Sequence, residues 1–141
     1  MYLPRGNHGY LLEHLFERRL RELNMFKNIL HENQLKQRWG WSSSSVDYLL
    51  ETKDHVILIQ CKWRTSRRRE NLGIRNFLSS VNHILSHFNK PLLMGLWVSR
   101  IQPFEDNIET LRKNKIECIS YYDDMEMLVD KAINILCQKV F

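Results

Sequence analysis

Asp47, Gln60 and Lys62 bring an acid, an amide oxygen and an ammonium to one point, provided that the residues between them fold back as a hairpin. Residues 46–52 and 55–63 both carry the β-branched and apolar residues of strands, with Lys53-Asp54 as the turn between them. A turn centred there pairs Thr52 with His55, Leu50 with Ile57 and Asp47 with Gln60. Directly opposed residues point to the same face of a sheet, with Cβ atoms about 4.5–5.5 Å apart. Lys62 shares that face because side chains alternate along a strand. An acid and an oxygen ligand beside a lysine suit metal-assisted cleavage of a phosphodiester. Register is the sensitive step, since a slip of one residue sends Asp47 to the other face. The plainer alternative is a strand end that carries polar residues into solvent.

The rest of the chain must supply a scaffold for that point. Leu12, Leu15, Phe16, Leu20, Leu23, Phe26 and Leu30 form one helical stripe, which predicts a first helix running to about His31. Residues 34–41 are expected as a first edge strand, joined by Ser42-Ser43-Ser44-Ser45 to the hairpin. A second helix is expected where Ile74, Phe77, Leu78, Val81, Leu85 and Phe88 recur at helical spacing. Residues 92–99 are a nearly continuous apolar run, typical of a buried central strand. A helix over 105–115, a strand over 116–121 and a last helix bearing Met125, Leu128, Val129, Ala132, Ile133 and Leu136 follow, with Asp123 or Asp124 as its cap. The order α-β-β-β-α-β-α-β-α predicts an α/β fold with a mixed central sheet between helices.

At 141 residues the chain has the size of one domain, 1–141, with no internal repeat. A hydrophobic content of 43% excludes a disordered chain. The formal charge of +5 suits a polyanionic partner. Cys61, Cys118 and Cys137 form no CxxC pair, so a reducing compartment without a disulfide framework is expected. The amino terminus has no apolar signal core, and no run approaches the roughly 18 apolar residues of a membrane span. The expectation is a soluble, intracellular protein with no membrane partner.

Together these pieces resemble the PD-(D/E)xK nuclease superfamily, and within it the Mrr-type restriction endonuclease domain, where Gln commonly replaces the second acid. The matching residues are Leu12-Glu13-His14-Leu15-Phe16, Ser45-Val46-Asp47 and Ile59-Gln60-Cys61-Lys62-Trp63-Arg64, and the likeness covers most of residues 9–136. The chain departs from that pattern in two places. It has Ser-Val-Asp where a glycine often precedes the aspartate, and Gln60 in place of a carboxylate.

The resemblance implies a restriction-endonuclease-like sheet and a metal-dependent endonuclease acting on DNA, with Mg²⁺ as cofactor and Mn²⁺ as its substitute. In that scheme Asp47 is the principal metal ligand and Glu13 a second, direct or through water. The Gln60 side-chain oxygen and the Cys61 carbonyl complete the shell. Lys62 orients the attacking water or stabilises charge developing on the phosphate. Glu17 competes with Glu13 for the helix position. Two further readings stand beside this one. The first is a catalytically silent nucleic-acid-binding module on the same fold. The second is a junction-resolvase-like nuclease, which would act as a homodimer. RNA is not excluded as a substrate.

Arg64, Arg67, Arg68, Arg69 and Arg75 begin just after Lys62 and are expected to meet backbone phosphates, with a solvated loop as the alternative. Trp63 falls on the face opposite Lys62 and is expected in packing. Trp39 and Trp41 are candidates either for stacking on nucleotides or for core contacts. His83 and His87 are four apart on one helix, a spacing that can hold zinc, but without a third ligand polar helix surface is the better account.

Overall fold

The computed structural model describes residues 8–140; the amino-terminal residues 1–7 read above for a signal core lie outside them. Leu12, Phe16 and Leu20 recur every fourth position and are wholly buried along one side of α1 (His8–Leu23). Asn24 then takes a left-handed φ of 51° and its N–H caps the Arg21 carbonyl at 3.2 Å, which ends the helix. The chain turns into β1 (Asn28–His31), then α2 (Glu32–Trp39) and a 3₁₀ turn (Trp41–Ser43).

These elements correct two expectations. The first helix stops short of His31, and residues 34–41 are helix and turn rather than a strand. The apolar stripe misleads because Phe26 and Leu30 continue its spacing past Asn24. What makes α2 a helix is a capping box: the His31 side chain accepts the Asn33 N–H, and the Gln34 side chain accepts the His31 N–H at 2.8 Å. An ion pair from Glu32 to Lys36 at 3.3 Å, one turn apart, adds to it.

The hairpin of β2 (Tyr48–Glu51) and β3 (Val56–Lys62) has the register expected of it. Leu50 opposes Ile57, and the Thr52 N–H donates to the His55 carbonyl at 2.9 Å. After β3 come α3 (Asn71–His87), β4 (Leu92–Ser99), α4 (Glu105–Lys113), β5 (Ile116–Ser120) and α5 (Met125–Val140). Asp124 caps α5, its Oδ1 accepting the Glu126 N–H at 2.8 Å.

The five strands lie in the order β1-β2-β3-β4-β5, antiparallel from β1 to β3 and parallel from β3 to β5. The molecule is therefore α/β with a mixed sheet. One face packs Tyr48, Leu50, Ile57 and Ile59 against α1 and α5. The other packs Val46, Leu49, Leu58 and Trp97 against Ile74, Phe77, Val81 and Ile84 of α3 and Leu35 of α2. Each fully buried side chain of this size contributes about 1.5–3 kcal/mol, so the two layers fix the strand ends that carry the polar residues. Among the described residues no helix is long and apolar enough to cross a membrane.

Candidate active site

Asp47 closes the open end of the hairpin. Its N–H donates to the Ile59 carbonyl at 2.8 Å, and its Oδ2 accepts the Cys61 N–H at 2.7 Å. Only 7% of the residue is exposed. Two more carboxylates reach it. Glu13 comes from α1 and Glu32 from the first turn of α2, and one oxygen from each of the three lies within 4.8 Å of the others.

Local folding explains both arrivals. Leu12 and Phe16 hold the helix face against the sheet, and the Tyr48 hydroxyl donates to the Glu13 carbonyl at 2.7 Å. Glu17, one turn on, turns away to Arg21 at 3.3 Å. β1 pairs His31 opposite Tyr48, so the next residue, Glu32, emerges level with Asp47. Sequence reasoning missed Glu32 because it fell between a helix drawn too long and a strand drawn in the wrong place. Its available signal was the Glu32–Lys36 spacing after His31.

Electrostatics set the character of the cluster. Burial pushes the Asp47 carboxyl well above the usual carboxylate range, with the Glu13 charge and a hydrogen bond to Glu13 acting the same way and the Cys61 N–H opposing. Burial, followed by the charge of Asp47, likewise raises the Cys61 thiol, which therefore stays protonated and offers no thiolate. The donor set is oxygen only. It fits a hard divalent cation such as Mg²⁺ or Mn²⁺ rather than zinc.

Gln60 lies between Ser45 and Lys62. With its amide nitrogen facing the Ser45 carbonyl, its oxygen accepts from Lys62 Nζ at 3.3 Å. The Lys62 ammonium also lies 5.9 Å from the centre of the Trp97 ring. Gln60 thus steadies the lysine, while Glu32 stands with Asp47 and Glu13 as the third carboxylate. Cys61 enters the site through its N–H.

The arginine loop is tied down by the protein's own acids. Arg64 pairs with the buried Glu70 at 3.1 Å, and Arg68 approaches the same carboxylate at 3.8 Å. Arg69 pairs with Asp106, and Arg67 donates to the Pro103 carbonyl at 3.2 Å and covers the Phe104 ring. Arg75 is exposed on α3. Trp63 packs beneath the Arg100 guanidinium at the edge of the α1–α5 layer. Trp39 packs on Phe88, whereas Trp41 is 80% exposed. His83 Nε2 lies 2.9 Å from the Trp39 carbonyl, and His87 Nδ1 meets the Ser86 hydroxyl at 2.8 Å. Both imidazoles are occupied by helix-surface hydrogen bonds.

No family model matches the chain, and neither the curated proteins nor the solved structures give a match.

Proposed function

We propose that this chain is a metal-dependent endonuclease that hydrolyses DNA phosphodiester bonds on a PD-(D/E)xK-like scaffold. The observation that carries the reading is the convergence of Glu13, Glu32 and Asp47 at the strand end that also bears Lys62. Three carboxylates crowded together, with Asp47 buried and Glu13 and Glu32 half-buried, repel one another, and a divalent cation would relieve that repulsion. When bound, Mg²⁺ or Mn²⁺ would polarise the scissile phosphate and lower the pKa of a coordinated water.

The chain's own residues do the rest. Asp47, held by the Cys61 N–H, gives a carboxylate of fixed direction, and Glu13 and Glu32 flank it. Lys62, steadied by the Gln60 oxygen, presents a compact positive charge to a phosphate oxygen on which negative charge develops. Arg75 on α3, with whatever part of the paired arginines still faces outward, supplies salt-dependent attraction to the flanking backbone.

A second reading has its own observation. Because the Gln60 oxygen turns to Lys62, the strand pattern contributes one oxygen ligand fewer, as a silent DNA-binding module would.

Cleavage of supercoiled plasmid, linear duplex, single strand, four-way junction and RNA in Mg²⁺, Mn²⁺ or EDTA decides between them. The nuclease requires metal-dependent cutting that falls about 10²-fold or more in Asp47→Ala and Lys62→Ala. Glu32→Gln should raise the Mg²⁺ concentration needed for half-maximal rate. No cutting on any substrate, with salt-sensitive binding intact in both alanine variants, would leave the binding module.

A further inference from the structure

A polar groove of about 510 Å³, open to solvent, lies between the serine turn and α3. Ser44, Asn76, Ser79 and His83 line it with hydroxyl, amide and imidazole groups, none carrying a fixed charge. Trp41 stands at its rim, the most exposed large apolar side chain among the described residues. Ser45 joins the groove to the site: its N–H donates to the Ser80 hydroxyl at 3.3 Å, and its carbonyl accepts from the Gln60 amide.

A second connection runs through α2. Lys36 Nζ lies 3.3 Å from a Glu32 carboxylate oxygen and 4.8 Å from the centre of the Trp41 ring, so the ring centre is within about 8 Å of that carboxylate. A large exposed indole is costly unless something covers it. This one is also held in place. Gly40 has φ 82° and ψ −173°, a conformation open essentially to glycine alone, and it aims the turn outward. Ser43 of the same turn is wholly buried, and its N–H donates to the Gly40 carbonyl at 3.1 Å.

We propose that Trp41 and this groove bind an unpaired base of a single-stranded nucleic acid, one nucleotide away from the phosphate that a cation at the carboxylates would hold. The chemistry selects that occupant. Indole stacks on the face of any base, and the neutral hydroxyl and amide groups beside it offer hydrogen bonds to base edges and sugar. A base inside a duplex offers neither free face, so the substrate class is single-stranded, frayed or branched nucleic acid. The placement beside a scissile phosphate rests on the nuclease reading, whereas the stacking does not.

The test is therefore a binding measurement in EDTA, where no metal-dependent cleavage occurs. Fluorescence anisotropy is recorded with a labelled short oligothymidylate, an oligouridylate and a duplex of equal length. Wild type should bind the single strands more tightly than the duplex. Trp41→Ala should weaken single-strand binding about tenfold, the order expected for one lost stacked base. Trp41→Phe should keep most of it. Quenching of indole emission by oligothymidylate should shrink in Trp41→Phe, and thermal melts should show all variants folded. Equal binding of oligouridylate and oligothymidylate supports a base subsite indifferent to the sugar and the C5 methyl, and a preference for one supports it with discrimination at one of these two groups. Unchanged single-strand affinity in Trp41→Ala, or equal losses for single strand and duplex, overturns the proposal. If Trp41→Ala weakens single-strand binding selectively in a protein that cuts nothing, the stacking subsite stands and the nuclease reading falls.

Discussion

The Cys61 N–H donates to Asp47 Oδ2 at 2.7 Å, which ties the carboxylate to the strand that carries Lys62 at its next position. Any movement of the strand end shifts acid and ammonium together. The backbone that carries the ammonium is thus tied to the acid by the hairpin itself.

That same bond makes Asp47→Asn informative, because the asparagine oxygen can still accept the Cys61 N–H. Burial and Glu13 raise the Asp47 carboxyl in the folded protein, so its ionisation opposes folding. The opposition is absent below the ordinary carboxylate range, grows as pH rises through it, and is complete above the raised folded value. In EDTA, urea denaturation should find Asp47→Asn more stable than wild type at neutral to alkaline pH, with the gap closing as pH falls. Mg²⁺ should reverse the ranking, stabilising wild type by about 2.7 kcal/mol at a hundredfold excess over its Kd.

Glu51, at the far end of the same hairpin, has the opposite sign. Its carboxylate accepts from Asn28 at 2.9 Å and from Lys90 at 2.6 Å, and these bonds hold its pKa below the ordinary value. The stabilisation is fully present above the ordinary carboxylate pKa and disappears as pH falls through the lowered folded value. Lys90→Ala should cost about 1.5–3 kcal/mol at pH 7, the order of a charged hydrogen bond. Repeating the denaturation at a pH below both values should shrink that loss.

Gly40→Ala tests the turn that carries Trp41. A Cβ there meets nothing within 4 Å, so the penalty is one of backbone conformation alone. We expect a loss of about 1–3 kcal/mol in denaturant unfolding. Single-strand affinity should drop even where the protein remains fully folded, and calorimetric melts run beside anisotropy separate the two effects.

Much of this was legible in the sequence. The hairpin could be placed because Leu49, Leu58 and Val56 alternate with the residues of the opposite face, and an apolar face tolerates only one register. The run over 92–99 read as a central strand because both its faces are covered. The stretch from Asn24 to Trp39 was not legible. Its helix stop depends on a left-handed asparagine and its helix start on a histidine cap, both of which are weaker signals than apolar spacing. The error carried over to the site, since Glu32 sits within that stretch. The orientation of the Gln60 amide escaped for another reason. Which way an amide turns depends on the Ser45 carbonyl and Lys62, partners that only the folded chain brings within reach.

The three carboxylates come from α1, the β1–α2 junction and the entry to β2, segments that meet only once the antiparallel half of the sheet has formed. No single hairpin or helix could hold a cation by itself. Under the proposed function, metal occupancy would therefore act as a gauge of assembly. A chain that lost the docking of its first helix would lose the three-carboxylate site with it.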